Sequence, residues 1–180
     1  MGGDAAPLPG GRAGSRPHRR GGQQRSRPQG RPDGHAVPED WHEVIRTNLL
    51  GSFHTSRAAL PYMLRQRWGR IVNVVSPSGL IATAGQTAYS ASKAGVMGMT
   101  RALAAECGRR GVTVNALSPG FMITGMTDQL PESIVSDMAR KAPVPRFVTV
   151  EEVARSVSLF LDQDCMTGQV ISIDSGVSIM

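Results

Sequence analysis

The chain has 180 residues, of which 40% are hydrophobic, 19% charged and 4% aromatic, which is enough for one domain with a mostly aliphatic core. It contains no apolar run of the roughly 18 residues that a membrane span needs and no apolar segment typical of a signal peptide, so we expect a cytoplasmic protein outside the membrane. Cys107 and Cys165 form no spacing pattern, and we expect neither a disulfide nor a metal site.

The first segment, residues 1–37, is predicted to be disordered. Residues 1–36 hold nine Gly, five Pro and seven Arg, and such a composition cannot bury enough apolar surface to offset the entropy of ordering. The seven Arg face only Asp4 and Asp33, so this segment carries five of the six net positive charges. A Gly/Arg-rich tail can bind nucleic acid non-specifically, but it has no aromatic side chain to stack on bases, which makes nucleic-acid binding the weaker alternative.

From Pro38 the sequence alternates between helical and strand patterns. We predict helices over 38–66, 86–109 and 149–161, strands over 70–76, 112–118 and 168–176, and a loop with a short helix over 121–149. Thr149 with Glu152 three residues later has the spacing of a capping box. Alternating helices and strands predict an α/β fold, a Rossmann-like parallel sheet with flanking helices.

The sharpest local feature is the pair Tyr89 and Lys93, four residues apart in the first turns of a predicted helix and therefore on one face. A free tyrosine, with a pKa of about 10, is a poor acid at neutral pH. A lysine ammonium one turn away favours the phenolate and lowers that pKa. The tyrosine can then protonate a carbonyl oxygen as hydride reaches the carbon. Taken alone, the same spacing also fits an ordinary surface pair.

Other polar residues lie near the predicted strand ends. Ser76 ends a buried strand, and Pro119 and Gly120 end the next one. The carboxyl ends of parallel strands share the edge where ligands bind. Asn48 lies on an apolar helix face, where it serves either the site or a kink in the helix.

Five segments together resemble the classical short-chain dehydrogenases/reductases. They are TNLLGSF, GRIVNVVS, GQTAYSASKAGVMGMTRALAAE, GVTVNALSPGFM and TGQVISIDSG. Their order and spacing match the family over 38–180, the predicted catalytic region, and the chain is most similar to the bacterial 3-oxoacyl-acyl-carrier-protein reductases.

The resemblance implies a catalytic role for four residues. Tyr89 would be the general acid, and Lys93 would lower its pKa and hydrogen-bond the nicotinamide ribose. Ser76 would hold the substrate carbonyl and stabilise charge on its oxygen. Asn48 would hold a water that links Lys93 to solvent.

The resemblance also implies a cofactor, NADPH, with NADH as the alternative. Besides Tyr89 and Lys93, the residues expected beside the nicotinamide are Pro119, Gly120, Met122 and Thr124.

For the substrate, the resemblance implies a 3-ketoacyl group on acyl-carrier protein. Gln86 would line the acyl site beside Ser76 and Tyr89, and 121–147 would form a lid. Arg67 and Arg110 match the arginines on which the family docks its acidic carrier protein, or else they are solvated surface residues. A homo-oligomer of two or four subunits is expected.

The chain departs from the family pattern at three places: Pro77 follows the serine, Gly125 replaces an acidic residue, and 174–176 read Asp-Ser-Gly. We expect these changes to tune the loop and the subunit contact. In the family, the cofactor is held by a first half that contains a strand, a Gly-rich turn and a helix. Residues 1–37 show no such pattern, so we expect this chain to form only the catalytic part of the fold.

One hypothesis is that 1–37 is a frame-shift product, because codons for 22–25 read one base later can give the family's Val-Asn-Asn-Ala. The nucleotide sequence tests this. Two further alternatives are a catalytically silent fragment that acts through subunit assembly, and a reductase of another small ketone or alcohol.

Overall fold

The computed structural model describes residues 38–122 and 132–180, without the side chains of Glu132 and Ile134. The predicted disordered tail lies outside the described residues, and so does 123–131, which includes Thr124 and Gly125.

The first helical region confirms the predicted helix from Pro38 and adds a distortion within it. It consists of α1 (Pro38–Val44), a π-helical segment (Ile45–Leu50) and α2 (Gly51–Gln66). In a π segment the backbone hydrogen bonds span five residues instead of four, which widens the helix, and such segments are frequent at functional sites. Asn48 lies within it.

Three parallel strands form the sheet and confirm the predicted architecture. They are β1 (Gly69–Val74), β2 (Val112–Pro119) and β3 (Val170–Ile173), in the order β1-β2-β3. β2 is central and buried along its whole length. β3 is shorter than predicted, because Ser175 and Gly176 adopt positive φ angles of 57° and 87° and leave the extended conformation.

Three helices complete the described chain: α3 (Thr87–Cys107), α4 (Glu132–Lys141) and α5 (Val150–Asp162). The capping box is confirmed at the start of α5. The Thr149 hydroxyl accepts from the backbone N–H of Glu152 at 3.2 Å, and the Glu152 carboxylate accepts from that of Thr149 at 2.9 Å. These bonds satisfy two backbone donors that a helix start leaves without partners.

α3 packs lengthwise along β2, and this packing sets the direction of the helix. Cys107, near its end, packs with Val112 at the start of β2. Val96 packs with Ala116, further along the strand. The first turns of α3 therefore lie at the carboxyl edge of the sheet. α5 packs against β1 and β2, where Phe160 is fully buried.

β1 has no neighbouring strand on its other side among residues 38–122 and 132–180. Val74, at the end of this strand, is 58% exposed. In the same part of the chain, no helix is both long and apolar enough to span a bilayer.

Candidate active site

The carboxyl edge of the sheet brings the predicted strand-end residues together. Ser76 follows β1, and Pro119 closes β2. The backbone N–H of Gly120 donates to the carbonyl of Ile173 at 2.9 Å, which joins the end of β2 to the end of β3. β1 and β2 also pair in parallel, with Val74 opposite Leu117, so the segments that follow the three strands lie at one edge, as predicted.

Tyr89 and Lys93 lie at the same edge, on one face of α3 as predicted. The Lys93 ammonium nitrogen is 5.5 Å from the centre of the Tyr89 ring, and both side chains are half-buried. The ammonium also donates to the carbonyl of Val74 at 3.1 Å. Burial lowers the pKa of Lys93 because it removes water from the charged form. The geometry thus places a cation beside the phenol at the end of β1.

Ser76 begins a short 3-10 turn, Pro77–Gly79, that packs on the lysine-bearing part of α3. Its hydroxyl accepts from the backbone N–H of Ser78 at 3.3 Å, which leaves the hydroxyl proton to donate to a ligand. A Cβ on Gly79 would lie 3.1 Å from the backbone carbon of Lys93. Pro77 fits the first position of this turn, where its missing N–H costs little.

Asn48 is brought to the tyrosine-bearing helix from the π segment. Its side-chain nitrogen donates to the hydroxyl of Ser92 at 3.1 Å, and its backbone carbonyl accepts from the hydroxyl of Ser52 at 2.8 Å. Both sequence interpretations keep support, since the residue lies in a distorted turn and contacts the site helix. Ser92 was not predicted as a site residue, although a side chain three residues after Tyr89 in a helix lies near the same face.

Gln86 lies just before α3 and contacts the turn that follows Ser76. Its side-chain oxygen accepts from the hydroxyl of Ser78 at 2.8 Å, and Thr83 donates to the same hydroxyl at 3.4 Å. Ser78 was also missed, because its role depends on the fold of this loop. The result is an uncharged polar wall beside the serine and tyrosine segments.

The residues predicted beside the nicotinamide meet the ends of β2 and β3. Pro119 is buried, while Gly120 and Met122 are partly exposed. A Cβ on Gly120 would lie 2.6 Å from the Cα of Asp174, so only glycine allows this approach. Thr124 lies outside the described residues.

The two arginines predicted to dock a carrier protein lie at the opposite edge of the sheet. Arg67 ends α2 in a left-handed conformation just before β1, and Arg110 lies just before β2. Both are exposed, and the backbone of Gly111 closely approaches that of Arg67. The structure brings them together, but β1 separates them from Ser76 by about 20 Å.

The described residues fit one end of a dinucleotide. Lys93 and Tyr89 offer hydrogen-bonding groups at the sheet edge. Within 38–122 and 132–180 no G-x-G-x-x-G turn leads from a strand into a helix, so this part of the chain shows no such cradle for a pyrophosphate.

Comparison with known proteins gives consistent matches. A family model described as Enoyl-(Acyl carrier protein) reductase matches residues 27–178, beginning before the segment predicted from motifs. The 3-oxoacyl-[acyl-carrier-protein] reductases FabG of Thermotoga maritima and Pseudomonas aeruginosa are 49% and 42% identical, over 78% and 77% of this chain. A D-beta-hydroxybutyrate dehydrogenase of Rhizobium meliloti is 39% identical over 77% of it.

Solved structures agree with the fold. A 3-oxoacyl-[acyl-carrier protein] reductase of Brucella melitensis matches with a TM-score of 0.80 and 29% identity, covering 84% of this chain and 57% of that one. A gluconate 5-dehydrogenase of Burkholderia cenocepacia, in complex with NADP and tartrate, matches with a TM-score of 0.79 and 26% identity, covering 83% and 60%. The chain spans 58%, 57% and 59% of the three curated relatives above.

Proposed function

Because the chain belongs to the short-chain dehydrogenase/reductase family, we propose that it reduces the 3-keto group of an acyl thioester, using NADPH, in the cytoplasm. The observation that supports this most is the Tyr89–Lys93 pair at the carboxyl edge of the parallel sheet. The turn of Ser76 packs against the same part of α3. A general acid and a hydroxyl donor to the carbonyl oxygen both lower the barrier to carbonyl reduction, and a nearby cation stabilises the phenolate that the acid becomes.

The bound nicotinamide would supply a hydride to the carbonyl carbon. Ser76 donates a hydrogen bond to the carbonyl oxygen and stabilises its developing negative charge. Tyr89 gives its phenolic proton to that oxygen, so the product is the 3-hydroxyacyl thioester. The Lys93 ammonium then stabilises the negative charge left on the tyrosine.

Lys93 and Asn48 have two further roles in the proposal. Lys93 would hydrogen-bond the nicotinamide ribose, and Asn48 would hold a water that returns protons from solvent to the lysine. The contact of Asn48 with Ser92 supports this, because it holds the asparagine against the helix that carries both Tyr89 and Lys93.

The proposed partner is an acyl-carrier protein that presents the substrate. Arg67 and Arg110 are exposed and adjacent at one edge of the sheet, as a docking site for an acidic protein requires. We also propose a homo-oligomer, since Leu50 at the end of the π segment and Phe53 and Tyr62 on α2 expose apolar surface.

A second candidate is a reductase of a free keto acid or sugar acid. The similarity to a D-beta-hydroxybutyrate dehydrogenase and to a gluconate 5-dehydrogenase favours it. The polar wall favours the thioester instead, because neither Ser78 nor Gln86 carries a positive charge that would pair with a free carboxylate.

Substrate preference separates the two candidates. The chain is assayed for NADPH oxidation with acetoacetyl-pantetheine and with free acetoacetate, and then with NADH in place of NADPH. If the substrate is a thioester, we expect turnover of acetoacetyl-pantetheine and little turnover of acetoacetate. The reverse preference would transfer the proposal to the keto-acid candidate.

A further inference from the structure

Ser92 joins the π segment, which carries Asn48, to the part of α3 that carries Tyr89 and Lys93. Its side chain is fully buried. Its hydroxyl accepts from the side-chain nitrogen of Asn48 at 3.1 Å and donates to the backbone carbonyl of Tyr89 at 2.7 Å. A hydroxyl has one proton to donate and can accept two bonds, so both contacts can form at once.

The bond between Ser92 and Tyr89 is local, but the bond to Asn48 is not. Serine often donates to a carbonyl three or four residues back in its own helix. The contact with Asn48 instead spans 44 residues and joins the π segment to α3. Buried hydrogen bonds of this kind fix how two elements sit against each other.

The backbone next to this contact is shaped for close approach. A Cβ on Gly95, one turn after Ser92, would lie 3.0 Å from the side chain of Leu49. Leu49 directly follows Asn48 in the π segment. Small residues at 92 and 95 therefore let this segment reach α3, and the serine hydroxyl then receives the asparagine amide.

We propose that Ser92 is a positioning residue that orients the side chain of Asn48 and ties it to the turn of α3 carrying Tyr89. It rests on the proposed function, because the residues it positions are those of the reductase site. Ser92 touches neither substrate nor cofactor in this account and acts through Asn48 and Tyr89.

A matched pair of serines in one helix tests the proposal. Ser92→Ala removes the shared hydroxyl, and alanine is a good helix former at that position. Ser90→Ala is the control, because the Ser90 hydroxyl is buried without a hydrogen-bond partner among the described residues. Both variants lose one oxygen from the same turns of α3.

The first measurement is NMR of the side-chain amides in the full chain labelled with 15N-asparagine. The sequence has three asparagines, Asn48, Asn73 and Asn115, and an Asn48→Asp sample assigns the signal of interest. Ser92→Ala is expected to speed solvent exchange of the Asn48 amide about fivefold, the factor that one hydrogen bond is worth. Asn73 and Asn115, which donate to Thr100 and to the Met166 carbonyl, should keep their rates in both variants.

The second measurement separates positioning from plain stability. With acetoacetyl-pantetheine, Ser92→Ala should lower kcat about tenfold with KM within about twofold, as for a misplaced catalytic group, and Ser90→Ala should change neither. The proposal would be overturned if Ser92→Ala left the exchange rate of the Asn48 amide unchanged, or if it raised the exchange rates of all three amides. An unchanged kcat would overturn it as well. No turnover in the unaltered chain would contradict the proposed function, while the amides still decide whether Ser92 holds Asn48.

Discussion

Gly120 illustrates how a single residue fixes the geometry of the site. It follows β2, and a Cβ there would lie 2.6 Å from the Cα of Asp174 and 2.9 Å from its Cβ. Asp174 cannot move away easily, because its carboxylate accepts from the backbone N–H groups of Gly176 and Ser178 at 3.0 and 2.9 Å. The ends of β2 and β3, which would lie beside the proposed nicotinamide, are therefore fixed relative to each other by a close contact between Gly120 and the backbone of Asp174.

We expect Gly120→Ala to lower the free energy of unfolding by roughly 1–3 kcal/mol, the usual cost of forcing an extra carbon into a packed region. Chemical denaturation measures it. Gly98→Ala is the control, because a Cβ on this helical glycine meets nothing within 4 Å. That variant should gain up to about 1 kcal/mol from alanine's higher helix propensity. If Gly120→Ala were as stable as the unaltered chain, Asp174 would be able to move and make room for the extra carbon, contrary to this prediction.

Sequence alone could predict some site residues and not others. Tyr89 and Lys93 could be predicted because their shared face follows from a spacing of four. Ser76 could be predicted because a strand end is visible in the sequence. The partnership of Asn48 with Ser92 could not, because it joins residues 44 apart whose meeting depends on the π segment.

At the scale of elements, the start of α5 is the best-defined helix end. Glu152 completes the capping box and also pairs with Arg146, whose two guanidinium nitrogens donate to its carboxylate at 2.8 and 2.7 Å. The bond from Arg146, followed by that from the Thr149 backbone, lowers the pKa of Glu152 to about 2. The carboxylate is thus favoured in the folded state.

This shift predicts a pH-dependent contribution to stability. Because the folded pKa lies below the ordinary value of 4.5, the contribution is fully present above about pH 4.5 and is lost as the pH falls towards 2. Glu152→Gln should therefore be less stable than the unaltered chain at pH 7, by a margin that shrinks below pH 4.5. Denaturation curves at several pH values measure the margin.

The neighbouring variant Glu151→Gln is the control for this effect. It removes the same charge from the same helical turn and leaves the bonds of Arg146 and Thr149 to Glu152 in place. At pH 7, Glu151→Gln should lower the stability of the chain by less than Glu152→Gln does. If the margin of Glu152→Gln stayed constant through the acid range, the carboxylate would not be the source of the stability.

Element types could be predicted more reliably than their details. The capping box is a local pattern of two residues, and the sequence locates it correctly. The type of the distortion at 45–50 could not be predicted, since the apolar spacing of 38–66 fits an ordinary helix and only Asn48 suggested a kink. The end of β3 was predicted too late, because Ser175 takes a left-handed conformation that serine rarely adopts.

For the molecule as a whole, the three-stranded sheet carries the residues of the candidate site, and among residues 38–122 and 132–180 no strand pairs with the outer side of β1. The Lys93 ammonium donates to the carbonyl of Val74 at the carboxyl end of β1, and Val74 is 58% exposed. The chain spans just under three-fifths of the curated relatives compared above. How the adenine side of a cofactor would be held could not be predicted, because no described residue forms the pyrophosphate turn.

We propose Tyr89 as the acid of a carbonyl reduction. The chain offers its own control, since it has two tyrosines and Tyr62 is 67% exposed on α2. The most direct measurement is NADPH oxidation with acetoacetyl-pantetheine by the unaltered chain, Tyr62→Phe and Tyr89→Phe. We expect turnover by the unaltered chain and Tyr62→Phe, and a loss of at least about a hundredfold in Tyr89→Phe, the usual contribution of a general acid. Equal rates in the two variants, or no turnover by the unaltered chain, would contradict it.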